Sequence, residues 1–276
     1  MRFFILICDA HNDFLLNMPT KEQVEEYVEN EIKPAGVGRV LSAVYTTNIP
    51  AEFSLGEIGK RFEAARKVSD VFVCTVEDCG FLTRRHLQSF ITLAPFCCTL
   101  TWNYANALAG GALSEEGFSS WGKYVAKQFE ASGIFIDCAH LNRKSFFELA
   151  DITSRPLFNS HTCLDCLFKH PRNLTDAQIR LILDSNGFIG LTFVDSFYKE
   201  KGGVNSGDIA TQIDHFVQNF GIKNVGIGTD FFGIESYPKD IKNYFEMANL
   251  EQKLMGFGYK KSDIAAIFSG NLLAHL

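Results

Sequence analysis

The chain has 276 residues, of which 46% are apolar and 21% charged, with a formal net charge of −6. This balance is typical of a globular protein with a full core and excludes a disordered or fibrous chain. Basic residues form only short pairs, such as Lys260-Lys261 and Arg84-Arg85, so no nucleic-acid groove is expected. The length suits one large barrel or two small domains.

The predicted elements alternate along the whole chain. Short apolar runs predict strands at residues 3–8, 40–46, 71–76, 96–100, 134–138, 156–159, 187–193 and 225–228. Amphipathic patterns predict helices at residues 55–68, 115–131, 175–185, 209–220, 241–255 and 263–276. The strands are too apolar for antiparallel strands with one solvated face, and they therefore indicate a parallel sheet.

Eight strands alternating with helices predict an α/β fold with right-handed crossovers, and eight suits a closed (β/α)8 barrel of the TIM type. An open doubly wound sheet is the alternative, but no G-x-G-x-x-G motif follows the first strand. No repeat, low-complexity tract or linker divides the sequence. We therefore expect residues 1–276 to form a single barrel domain.

The eight cysteines indicate where the protein resides. Most lie in or beside apolar runs, as reduced buried thiols do, whereas disulfide frameworks belong mainly to small secreted chains. Cys163 and Cys166 have C-x-x-C spacing, but no second such pair follows, which favours inert thiols. The apolar run at residues 3–8 is shorter than a signal-peptide core, and no run is long enough for a membrane span. A cytoplasmic protein without membrane attachment is expected.

Several predicted strands end in imidazole or carboxylate side chains. These residues are His11, Asp13, Glu77, His140, His161 and Asp230. Functional residues of barrels cluster at the carboxyl ends of strands, and His11 and Asp13, two residues apart, face the same side of an extended chain. Imidazole and carboxylate without thiolate favour Zn²⁺ over Mn²⁺, Co²⁺ or Fe²⁺. The set exceeds the three protein ligands of a single catalytic zinc, so two ions sharing a carboxylate are expected.

Longer motifs extend this pattern. The stretches DAHNDF, VED, LTWN, IDCAH, FNSH, HPRNLTD, GIGTDF and GNLL follow one another from Asp9 to Leu273. In content and order they resemble the membrane dipeptidase (renal dipeptidase-like) family of the amidohydrolase superfamily. The resemblance implies a metal-dependent hydrolase that cleaves dipeptides with a D or L C-terminal residue.

The resemblance also implies a role for each matching residue. His11 and Asp13 correspond to the ligands of one zinc ion, and Glu77 to the carboxylate that bridges two. His140 and His161 correspond to the ligands of the second zinc ion. Family members commonly form dimers, which implies a homodimer here, although no residue pattern indicates a subunit surface.

The remaining implied roles concern catalysis and substrate binding. Asp230 corresponds to the proton shuttle, acting with Glu77, and Arg172 to the group that binds the substrate carboxylate through its planar fork. Trp102 departs from the family, because renal-type members carry histidine there, and Phe232 replaces a common acidic residue. The indole N–H can contact the oxyanion, or the ring can reshape the pocket. Trp102 therefore suggests one alternative to a dipeptidase, the hydrolysis of another amide, lactam, lactone or N-acyl amino acid. A catalytically inactive binding barrel is a further alternative.

Overall fold

Eight parallel strands close into a barrel in the computed structural model, which describes residues 5–17, 20–47 and 49–276. The strands are β1 Ile7–Asn12, β2 Val37–Tyr45, β3 Phe72–Glu77, β4 Cys97–Thr99, β5 Phe135–Asp137, β6 Phe158–Thr162, β7 Phe188–Leu191 and β8 Val225–Ile227. They follow chain order around the barrel, and β1 pairs with both β2 and β8. The predicted (β/α)8 fold is confirmed.

Helices surround the barrel. They are α1 Phe14–Asn17, α2 Lys21–Tyr27, α3 Lys33–Ala35, α4 Ala51–Val68, α5 Leu87–Thr92, α6 Ser120–Ala131, α7 Arg143–Ile152, α8 Asp176–Asp184, α9 Ser206–Phe220, α10 Met247–Gly256, α11 Lys261–Ala265 and α12 Asn271–Leu273. Short 3-10 turns lie at Cys79–Phe81, Asp195–Phe197 and Tyr244–Glu246, and π-helical turns at Val28–Ile32 and Ala266–Gly270. Within the described ranges, no helix combines the length and hydropathy needed to cross a bilayer.

The main core lies between the strands and the helices that cover them. Helix α9 shows the principle, since Ile209, Ile213 and Phe216 recur at helical spacing and are fully buried on one face. A second cluster combines strand side chains with Leu272 of α12: Cys8, Ala10, Leu41, Cys97, Phe158, Phe188 and Leu272. Because these side chains come from β1, β2, β4, β6 and β7, they fill the barrel interior, which is a packed core and not a pore.

Several predicted boundaries differ from the structure, and three of them have clear local reasons. The first strand was predicted at residues 3–8, of which 3 and 4 lie outside the described part, but β1 continues through the polar residues to Asn12 because these are buried and paired. The helix predicted at 115–131 begins at Ser120, since the Ser119 hydroxyl caps it by accepting from the Gly122 N–H. The helix predicted at 241–255 begins as a 3-10 turn at Tyr244 and becomes α-helical at Met247.

Other helices differ more. The closing helix predicted at 263–276 is interrupted by the π-helical turn Ala266–Gly270. The helical segment formed by α2, a π-helical turn and α3 was not predicted, and neither were α5 and α7. Helix α7 nevertheless carries a local signal, because Asn142 caps it by accepting from the Ser145 N–H at 2.8 Å.

Candidate active site

The strand ends bring six of the predicted site residues together at the carboxyl mouth of the barrel. Nε2 of His11 lies 3.5 Å from Asp13 Oδ2 and 3.6 Å from Asp230 Oδ1. The two oxygens of Glu77 point in different directions: Oε2 lies 3.1 Å from His11 Nε2, and Oε1 lies 3.3 Å from His140 Nε2. The Nε2 atoms of His140 and His161 are 3.0 Å apart. The cluster therefore has two halves, with Glu77 between them.

These spacings fit divalent metal ions. Ligand atoms about 2.0–2.1 Å from a tetrahedral zinc ion lie about 3.3 Å from one another, close to the separations observed. Each half contains a group whose donor atoms can converge on one ion: His11, Asp13 and Asp230, and Glu77, His140 and His161. His11 Nε2 and Asp13 Oδ1 are buried and make no hydrogen bond to any described residue, as expected of atoms meant for a cation.

The hydrogen bonds of the two other histidines place the lone pair of each ring on Nε2, the nitrogen that faces the centre. His140 Nδ1 lies 3.0 Å from Asn103 Oδ1, an oxygen that can only accept, so Nδ1 carries the proton and Nε2 a lone pair. His161 Nε2 accepts from Arg172 Nη2 at 2.8 Å, while Nδ1 contacts the Ser160 hydroxyl at 2.7 Å. Two such lone pairs facing each other at 3.0 Å repel, and a shared cation removes that repulsion.

The charges of the cluster follow from burial and from one another. Burial, followed by the positive charge of Arg172, holds the pKa of His140 well below its usual value. Burial likewise lowers the pKa of His161, helped by His11 and Arg172. For His11, burial lowers the pKa, but the nearby Asp13 and Glu77 carboxylates outweigh it and raise the pKa well above 6.5. Two of the three imidazoles are therefore neutral, the form that ligates a metal.

The buried carboxylates respond in the opposite direction. Burial raises the pKa of Glu77, although the nearby His11 imidazole acts in the opposite direction. Burial also raises the pKa of Asp230 well above its usual value. Attraction to His11 lowers this pKa, whereas repulsion from Asp13 and Glu77 raises it further. Such a concentration of negative charge is costly without cations beside it, which is a second indication that the cluster binds metal.

Backbone strain accompanies the site. His140, Asp230 and Phe232 adopt positive φ angles of 68°, 63° and 70°, a region that residues other than glycine rarely occupy. Asp78, directly after Glu77, has φ 66°. Strained residues of this kind concentrate at functional sites, where the surrounding structure imposes them.

Two further carboxylates, to which sequence reasoning assigned no role, support the strand ends. Asp9 is fully buried and accepts from the Thr229 hydroxyl and the Tyr244 hydroxyl, both at 2.6 Å, and from the Thr229 N–H at 2.8 Å. It thereby connects β1, which carries His11, to the end of β8. Asp137 in β5 accepts from the N–H groups of Ala139 and Ser160. The spacing D-x-H at Asp9 and His11 is a signal that could have indicated the first role.

Arg172 and Asn103 form a polar edge beside the two neutral histidines. Arg172 Nη1 donates to Asn103 Oδ1 at 3.3 Å, so one amide oxygen contacts both a candidate ligand, His140, and the guanidinium. The Arg172 guanidinium also stands 5.1 Å from the Phe197 ring centre. Burial lowers the pKa of Arg172 to about 10, so the side chain remains a cation at neutral pH. The sequence suggested Arg172 but not Asn103.

A cavity of about 630 Å³ opens above the cluster. Its lining includes Asp13, Glu77, His140, Arg172 and Asp230. It also includes Trp102 and Phe232, the two residues that differ from the family pattern. The size is that of a pocket for a small organic molecule. Trp102 therefore lies at the cavity wall, where its indole N–H could contact the oxyanion or its ring could shape the pocket.

The fold and the converging ligands define a (β/α)8 barrel with a candidate divalent-metal centre at its carboxyl end. A family model described as membrane dipeptidase (peptidase family M19) matches residues 62–274, and the chain belongs to this family. The predicted resemblance is thus confirmed.

The chain is also similar to individual proteins. An uncharacterized protein of the pqqA 5′ region of Klebsiella pneumoniae is 30% identical over 187 residues, 63% of this chain and 69% of the relative. An uncharacterized dipeptidase of Schizosaccharomyces pombe is 24% identical over 195 residues, 68% of this chain but only 47% of the relative. Among solved structures, a Rhodobacter sphaeroides metallo peptidase liganded with a phosphinate mimic of L-Ala-D-Ala superposes with a TM-score of 0.84 at 20% identity, covering 99% of this chain and 98% of that one.

Proposed function

We propose that this protein is a binuclear zinc-dependent dipeptidase. The observation that carries the proposal is the position of the Glu77 carboxylate between two histidines. Its Oε2 lies 3.1 Å from His11 Nε2, and its Oε1 lies 3.3 Å from His140 Nε2. His11 and Asp13 would hold one ion, His140 and His161 the other, and Glu77 both. Two bound zinc ions would supply a nucleophilic water of lowered pKa and polarise the scissile carbonyl.

Asp230 is the group we assign to proton transfer. Its Oδ1 lies 3.6 Å from His11 Nε2 and it lines the cavity, so a substrate amide above the centre is within its reach. Asp230 would accept a proton from the attacking water at a carboxylate oxygen and then release it to the leaving amine. The strained φ at this residue fixes the direction of its side chain toward the centre.

Arg172 is the group we assign to the substrate's C-terminal carboxylate. A guanidinium pairs with a carboxylate through two parallel hydrogen bonds. In this structure its Nη2 donates to His161 Nε2, so that hydrogen bond and metal ligation by the same nitrogen exclude each other. Once His161 serves as a ligand, the Nη2 donor is released for the carboxylate. Asn103 still retains the guanidinium through Nη1.

A second candidate function is supported by Trp102. Because this neutral side chain stands at the cavity wall where renal-type family members carry histidine, the pocket also suits an amidohydrolase acting on N-acyl amino acids. Such a substrate retains the carboxylate for Arg172 but lacks the free α-ammonium of a dipeptide. The residues of the metal centre are common to both candidates.

One experiment tests the proposal. The purified protein is loaded with zinc, its metal content is measured, and kcat/KM is compared for L-Ala-L-Ala, Gly-D-Ala and N-acetyl-L-alanine. We expect about two zinc ions per chain and faster hydrolysis of the dipeptides. Faster hydrolysis of N-acetyl-L-alanine supports the second candidate instead. A loaded protein that hydrolyses none of these compounds contradicts both and leaves a binding barrel.

The cysteine pattern, with seven of eight thiols buried and none in a disulfide, supports a reducing compartment such as the cytoplasm.

A further inference from the structure

One wall of the cavity is mainly aromatic and includes Trp102. The rings of Tyr45 and Trp102 meet edge to face, with centres 5.5 Å apart at 63°. Trp102 also lies 6.2 Å from the His140 ring. Leu113 also lines the cavity and is 53% exposed. We call Tyr45, Trp102 and Leu113 the aromatic wall. An exposed apolar surface inside a cavity indicates an apolar ligand group.

The topology fixes the side of the mouth on which this wall stands. Tyr45 ends β2 and pairs in register with Glu77 of β3, while Trp102 follows β4. Strands β2 and β6 are four positions apart in a closed ring of eight, so they face each other across the barrel. His161 lies in β6, and Arg172 contacts it. Tyr45 therefore stands on the side of the mouth opposite to the strand beside the proposed carboxylate site. Trp102, which follows β4 and contacts the Tyr45 ring, extends the wall past the end of β3, which carries Glu77.

The remaining rim carries negative charge. Asp230 and Glu235 line the cavity beyond β8, and Glu235 is exposed and forms no ion pair or hydrogen bond with a described residue. A dipeptide whose carboxylate is bound by Arg172 and whose peptide bond lies over Glu77 places its first residue beyond the metal centre. The α-ammonium then faces the acidic rim and the side chain faces the aromatic wall.

We propose that the aromatic wall makes this enzyme selective for dipeptides whose N-terminal residue has a large apolar or aromatic side chain, an inference that depends on the proposed dipeptidase function. Edge-to-face packing on Trp102 and Tyr45 favours an aromatic ring, and the benzyl group buries much more apolar surface than a methyl group. The zinc-loaded enzyme should hydrolyse L-Phe-L-Ala with a kcat/KM at least about tenfold above L-Ala-L-Ala. L-Ala-L-Phe should show no such gain.

Variants connect the preference to the wall. Trp102→Ala should reduce the ratio of L-Phe-L-Ala to L-Ala-L-Ala to within about threefold. If this variant does not fold, Tyr45→Ala or Trp102→His removes part of the same surface and should lower the ratio as well. The matched control is Phe53→Ala, an aromatic residue of helix α4 that is 60% exposed and does not line the cavity. This control should keep the wild-type ratio.

Fluorescence provides a second measurement without turnover. The chain has two tryptophans, and Trp121 contacts the Leu82 carbonyl through its indole N–H, away from the cavity. In Trp121→Phe, emission therefore reports on Trp102. A reduced-bond analogue of Phe-Ala should change this emission saturably and bind at least tenfold more tightly than the Ala-Ala analogue. Equal rates for all three dipeptides, with equal analogue affinities, overturn the inference while the dipeptidase proposal stands. Hydrolysis of none overturns both.

Discussion

Replacement of Gly233 by alanine should disable the metal centre without unfolding the barrel. A Cβ built on Gly233 falls well inside van der Waals contact with Asp13 Oδ2 and 2.5 Å from Asp230 Oδ1, whereas real Cβ atoms stay beyond 3.0 Å. The Asp230 oxygen would have to retreat by at least about 0.5 Å and Asp13 by more. Because displacements near 1 Å cost about 10²-fold in activity, we expect zinc affinity and kcat/KM to fall at least about 100-fold.

The measurements are zinc content after loading and dialysis, kcat/KM on a dipeptide, and the thermal midpoint. The matched control is Gly56→Ala in helix α4, where an added Cβ meets nothing within 4 Å. Alanine there should raise stability by about 0.5–1 kcal/mol and leave zinc content unchanged. The reasoning is refuted if Gly233→Ala retains two zinc ions and turns over within threefold of the wild type.

Three other changes test separate contacts. Arg172→Lys keeps the charge but loses the fork, so KM for dipeptides should rise about 10–100-fold while zinc content is retained; an unchanged KM would remove Arg172 from substrate binding. Asn103→Ala deprives His140 Nδ1–H and Arg172 of one acceptor and should weaken zinc binding about 10–100-fold in a chelator competition; an unchanged affinity would show that the acceptor does not orient His140. Glu130 accepts from the Ser154 N–H at 2.7 Å and hydroxyl at 2.6 Å, which, with Lys127, hold its pKa down at about 2. Because the folded pKa lies below the usual 4.5, the stabilisation is present above pH 4.5 and disappears as the pH falls toward 2. Glu130→Gln should therefore cost about 1 kcal/mol in urea unfolding at pH 7, a value reduced for solvent screening, and progressively less in acid; a pH-independent cost would exclude this cause.

The sequence was most informative where a pattern repeats along the chain. Apolar strands alternating with helices determine parallel pairing, and parallel pairing determines that all carboxyl ends share one mouth. His11, Glu77, His140, His161 and Asp230 could therefore be grouped before any coordinates were known. The alternation of side chains along an extended chain placed Asp13 beside His11, and the structure brings them to 3.5 Å.

Features that depend on close approach in space were not predictable. Nothing near Gly233 in the sequence shows that Asp13 and Asp230 occupy the space of its missing side chain. The dual contact of Asn103 depends on how the loop after β4 meets the loop after β6. The segment from α2 to α3 was missed because its helix turns π-helical at Val28–Ile32, which breaks the expected period.

The connection of Asp9 to Thr229 and Tyr244 has a consequence for biosynthesis. Its partners lie 220 and 235 positions further along the chain, so they leave the ribosome long after Asp9 does. At about 5–20 residues per second, roughly 10–45 seconds separate the two. During that interval His11 and Asp13 have been synthesised, but Asp230, the third member of their half of the site, has not. A site that needs the ends of both β1 and β8 therefore cannot assemble before the β8 segment has been synthesised.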